Sequence, residues 1–111
     1  MSAPCEFAVK YLYPIVRSEL ARFLIKRFKL TQIQTAERLG ITQAAISQYT
    51  SLKRGGNIKS VPESVQRIIK ESLEELCSAN RVEEISAKHI EETVCSICRR
   101  IKSLEKNRLE A

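Results

Sequence analysis

The stretch from Leu30 to Tyr49 constrains this chain more tightly than any other. Thr31 stands where a helix start needs a side-chain oxygen to accept from an orphan amide of the first turn. Ile33, Ala36 and Leu39 then fall on one face at helical spacing. Gly40 sits where that helix must stop, and glycine takes the left-handed conformation there at little steric cost. Thr42 is placed to cap a second helix. Ile46 and Tyr49, three apart, face inward with Ile41, and Gln43, Ala44, Ser47 and Gln48 are left facing out. The spacing therefore predicts two short helices joined by a tight turn.

The outward face of the second helix has an unusual chemistry. It carries no charge and offers two amides, one hydroxyl and one methyl. Amides pair with two atoms of an adenine edge, a hydroxyl donates or accepts, and a methyl contacts thymine. The side chains are short enough for the helix to enter a major groove. Any small helical domain contains helix pairs, so the pair alone carries little weight. The joint occurrence of two caps, a small residue at Ala36, the glycine and the polar outer face carries more. This pattern is expected of a helix-turn-helix with Thr42 to Tyr49 as the recognition helix.

Leu30-Thr31-Gln32, followed by Ala36-Glu37-Arg38-Leu39-Gly40-Ile41-Thr42-Gln43 and Ile46-Ser47, resembles the phage-repressor (Cro, or XRE) type of helix-turn-helix regulator. The likeness covers about 25 residues. It implies that Gln32 and Gln43 touch DNA phosphate and base edges and that Ser47 and Gln48 read bases. The family's Glu-Arg-Gly after the recognition helix is here replaced by Thr50-Ser51-Leu52-Lys53-Arg54-Gly55. The longer frame has Pro4-Cys5-Glu6 at the start and Cys95-Ser96-Ile97-Cys98 near the end. It is similar to a group of small archaeal regulators of the same type with four cysteines.

Charge supports the same direction. Residues 1–60 carry ten Lys/Arg and three Glu, a balance of +7, whereas residues 61–111 carry nine Lys/Arg and ten Glu, a balance of −1. Localised positive charge supplies the sequence-independent part of DNA affinity through counterion release. A merely solvated basic surface is the alternative. Lys53 and Arg54, in a basic loop around Gly55-Gly56-Asn57, are placed to hold backbone phosphates together with Thr31, Gln32 and Thr42. Arg22, Lys26, Arg27 and Lys29 are further phosphate candidates, or simply solubilise their helix.

Chain length predicts one domain, all-α, with no alternating runs of strand type. Residues 1–14 read as an N-terminal arm, residues 15–60 as the DNA-binding unit and residues 61–111 as a helical hairpin. Residues 4 to 28 are apolar at helical intervals, and Pro14 is expected to kink or split that helix near Tyr13. Pro62 opens a helix whose apolar face is Val65, Ile68, Ile69, Leu73, Leu76 and Cys77, and Asn80 stops it. Ser86 caps the last helix. Ala87, Ile90, Val94, Ile97, Ile101 and Leu104 then form a heptad seam that wants a partner helix, either the preceding helix or its copy in a homodimer, which the pairing of half-sites favours. His89 falls away from this seam and is expected at the surface. No run approaches the about 20 apolar residues of a membrane span, and the start lacks a signal-peptide pattern, so a cytoplasmic protein is expected.

Cys5, Cys77, Cys95 and Cys98 remain. Cys95 and Cys98 share a side of their helix, and Cys77 one helix earlier meets them if the two helices fold back on each other. Arg99 and Lys102, four residues on, would favour thiolates. Four thiolates suit a [4Fe–4S] cluster or zinc. A redox-switched or structural disulfide and ordinary buried thiols without any ligand are the alternatives. The reading is a sequence-specific DNA-binding regulator that is not an enzyme, with metal or redox control through these cysteines. A protein-interaction adaptor and a thiol-redox protein are the competing classes.

Overall fold

The computed structural model describes residues 12–51 and 58–110, with side chains through Ser103. It is all-helical over these residues. Five helices follow one another: α1 (Tyr13–Phe28), α2 (Gln32–Leu39), α3 (Gln43–Thr50), α4 (Glu63–Ala79) and α5 (Ala87–Glu110). Single 3-10 turns at Ile58–Ser60 and Val82–Glu84 precede α4 and α5. No helix among the described residues is long and apolar enough to cross a membrane.

α1 is the axis of the molecule. It packs against α2 and α3 on one side and α5 on the other, while α4 pairs with α5 as a hairpin. Ile15, Val16, Leu20 and Leu24 are buried on it, each contributing about 1.5–3 kcal/mol by leaving water. Ser18 and Ala21, also fully buried, keep its surface small. The residues before Leu12, on which the expected kink or split depends, lie outside the described residues; within α1, which starts at Tyr13, Pro14 is the second residue. It lies in the first turn, where its missing amide is one of the four that no helix can satisfy internally. The helix ends at Lys29, which adopts the left-handed conformation (φ 59°) and donates its N–H to Leu24 O.

On α4, Val65, Ile68, Ile69 and Leu73 are buried as the spacing predicts, and Leu76 and Cys77 are half-buried. The Asn80 side chain closes the helix by donating from Nδ2 to Leu76 O at 3.0 Å. The connection into α4 is anchored rather than loose at its far end, since Ile58 is buried.

The seam of α5 is covered from within the chain. Ile90, Val94 and Ile97 are at most 1% exposed and pack in the α1–α4–α5 core, so these positions leave no stripe for a second copy. Ala87, at the start of the seam, is instead exposed. His89 differs from expectation too, at 9% exposure. Its Nδ1 accepts the Ser86 N–H at 3.0 Å, while the His89 backbone N–H donates to Ser86 O at 3.0 Å. The imidazole thus fills the place a glutamate or glutamine takes in a capping box, and this turns the ring inward.

Candidate nucleic-acid interface

Helix α2 begins with a reciprocal capping box. Gln34 N–H donates to Thr31 Oγ1 at 3.0 Å, and Thr31 N–H donates to Gln34 Oε1 at 2.9 Å. Thr35, Ala36 and Leu39 are its buried residues. The inward face therefore runs through Thr35, and Ile33 lies outside it at 57% exposure, contrary to the sequence expectation. One residue of rotation about the helix decides this. Burying Thr35 is feasible because its hydroxyl donates to Thr31 O at 2.9 Å.

Gly40 makes the turn at φ 66°, its N–H donating to Ala36 O, and Ile41 N–H reaches the same carbonyl at 3.1 Å. A β-carbon at Gly40 would find ordinary contact with Ala87 at 3.7 Å, so backbone conformation rather than space calls for glycine. Thr42 then caps α3 by accepting the Ala45 N–H at 3.1 Å.

An eight-residue helix is too short to persist on its own, and α3 is held from several directions. Ala45, Ile46 and Tyr49 are buried beneath it. Its last carbonyls are taken by side chains. Thr50 Oγ1 donates to Ser47 O, Ser51 Oγ to Gln48 O, and Arg22 Nη1 to Tyr49 O at 2.7 Å. The guanidinium thereby sets a cation at the negative end of the helix. Arg17 lies over the Tyr13 ring at 5.3 Å and 6.0 Å from the Tyr49 ring, adding cation–π attraction beside the same turn.

What remains outside is the predicted reading face. Thr42, Gln43, Ala44, Ser47 and Gln48 are all exposed. Gln43 to Gln48 on that face span an arc of about 140° at 3.6 residues per turn, opposite the buried arc of Ala45, Ile46 and Tyr49. Thr31 is exposed and Gln32 half-buried at the start of α2. Lys53 and Arg54 lie outside the described residues.

The arginines of α1 are used differently from the sequence reading. Arg22 is paired with Glu19 and with Tyr49 O, and its side chain is 14% exposed. Arg27 donates from Nη1 to both carboxylate oxygens of Glu74, at 2.7 and 2.8 Å, and covers the Phe23 ring at 5.2 Å. Arg38 donates to Glu83 O at 2.6 Å. Planar guanidinium forks suit such fixed acceptors, and so these arginines join helices. Lys26 and Lys29 stay exposed. The structural roles of Arg17 and Arg22 were missed by sequence reasoning, because their acceptors come from a helix about 30 residues away.

Three of the four cysteines of the expected ligand set, Cys77, Cys95 and Cys98, fall within the described residues. Among the described residues no group of three or more His, Cys, Asp or Glu side chains is arranged to hold a metal ion. Cys77 and Cys95 are half-buried, Cys98 is buried, and none of the three is in a disulfide among the described residues. Cys5 lies outside the described residues. Burial pushes the Cys77 thiol up from about 9 to about 11, against the pull of Arg27 and with a smaller push from Glu74.

Comparison of the chain with family models, curated proteins and solved structures finds no match.

Proposed function

We propose that this chain is a sequence-specific double-stranded DNA-binding protein, acting as a transcriptional regulator, with α3 as the helix that enters the major groove. The observation that carries the reading is the division of α3. One side is locked to α1 by Tyr49, Ile46 and the Arg22 bond, and the other presents Gln43, Ala44, Ser47, Gln48 and, at its end, Thr50. Such short uncharged groups gain little from water compared with a charged surface, but they match base edges. In this reading Thr31, Gln32, Thr42, Lys53 and Arg54 contact the backbone, and two copies bind paired half-sites as a homodimer formed on DNA.

The test is selection from random duplexes with the full chain, followed by titration of the enriched site across salt concentrations. Gln43→Ala is expected to lose discrimination at one base pair per half-site by about 5- to 150-fold, the range of one bidentate contact. Lys53→Ala is expected to weaken all sequences alike and flatten the salt dependence. Failure to enrich any sequence, with salt-independent binding, would overturn the reading in favour of a protein adaptor.

A further inference from the structure

We propose that the groove between α1 and α4 binds a small carboxylate with an apolar body. The groove encloses about 280 Å³. α1 lines it with Glu19, Phe23 and Lys26, and α4 with Lys70, Leu73 and Glu74, while Arg22 closes it. A cavity of about 150 Å³ accommodates benzene, so one ring and a short acid arm fit here.

The chemistry of the lining selects the ligand. Phe23 is half-buried and Leu73 is 2% exposed, giving an apolar floor. Both acids of the groove are already engaged, Glu19 by Arg22 and Glu74 by Arg27. Lys26 and Lys70 are exposed and make no ion pair among the described residues. The unmet charge of the groove is therefore positive, at the edge of an apolar surface. Inorganic phosphate would leave the Phe23 floor unused, and a neutral arene would leave both ammonium groups unpaired. A carboxylate on an apolar body satisfies the two together.

Arg22 gives the site a consequence. The same side chain lines the groove and holds the last turn of α3 through Tyr49 O. On the DNA-binding reading above, an occupant in contact with Arg22 biases the helix that reads the operator. The binding claim itself does not depend on that reading.

The experiment is titration of the full chain with 4-fluorophenylacetate, followed by fluorine NMR without DNA. Saturable binding is expected, weakened about tenfold in the Lys26→Gln/Lys70→Gln variant, and weakened similarly when 4-fluorophenylacetamide replaces the acid. Both lysines are exposed, so the variant keeps its fold, which circular dichroism checks. Absence of saturable binding, equal binding of acid and amide, or an unaffected double variant would each overturn the site. A DNA titration with and without the acid then tests the consequence. Unchanged affinity in a protein that binds both ligands would remove the regulatory role and leave the site standing.

Discussion

Replacing Arg22 by Met isolates what holds α3 in place. Methionine keeps much of the aliphatic stem and loses the fork. The bond to Tyr49 O is charge-assisted at 2.7 Å and joins residues 27 apart in sequence. Hydrogen bonds to charged groups contribute about 1.5–3 kcal/mol. The substitution also leaves the Glu19 carboxylate, 17% exposed, without its partner. Together these give an expected loss of about 2–4 kcal/mol in urea unfolding. At about 4 °C per kcal/mol for a chain of this size, the melting temperature falls by about 8–16 °C. Arg22→Lys keeps the charge without the fork and is expected to fall between parent and Met variant. Glu19→Gln added to Arg22→Met should recover part of the loss, because no unpaired carboxylate is left behind. Amide exchange gives the local signature, with protection in α3 falling more than in α4. An Arg22→Met variant within about 0.5 kcal/mol of the parent would refute the claim that α3 leans on this contact.

Three further outcomes are expected. Ser18 Oγ is fully buried on α1 without a hydrogen-bond partner among the described residues, so Ser18→Ala should stabilise the protein by about 1 kcal/mol, read from the urea midpoint. Lys29 holds φ 59° at the end of α1, and Lys29→Gly should raise stability by about 0.5–1 kcal/mol in thermal unfolding while weakening DNA binding only through its lost charge. The Cys77 thiol has its folded pKa raised, so the native state holds a proton that the unfolded chain releases first. Stability should therefore fall as pH rises from about 9 to about 11, and Cys77→Ala should remove that slope in pH-dependent unfolding.

Features set by neighbours in sequence were legible before the fold was known. The Thr31 and Thr42 caps, the Gly40 turn, the division of α3 and the Asn80 stop all depend on residues within about one helical turn. Features set across helices were not. Ile33 looked like core because its spacing to Ala36 and Leu39 is helical, yet Thr35 fills that place once α2 meets α3. Arg22 and Arg27 looked like a solvated basic face until Tyr49 O and Glu74 arrived from other helices. The regular seam of α5 was expected to favour its copy in a homodimer, whereas Ile90, Val94 and Ile97 are buried within the chain, where α5 packs on α1 and α4; the Leu104 side chain lies outside the described residues. His89 was misjudged because an imidazole accepting a backbone amide is not a common cap, although its position three residues after Ser86 was a usable signal.

The partition of α3 bears on how such a protein can change. Among the described residues, the contacts that keep α3 folded run through Thr42, Ala45, Ile46, Tyr49 and the chain segments around them. The Gln43, Ala44 and Ser47 side chains point away from all of these. Substitution at those three places alters what the surface matches while leaving the scaffold's free energy nearly untouched. On the proposed DNA-binding reading, a lineage carrying this domain can therefore move from one target to another by small steps, each passing through a folded intermediate. Two duplicated copies can diverge in specificity without first acquiring any compensating change in the core.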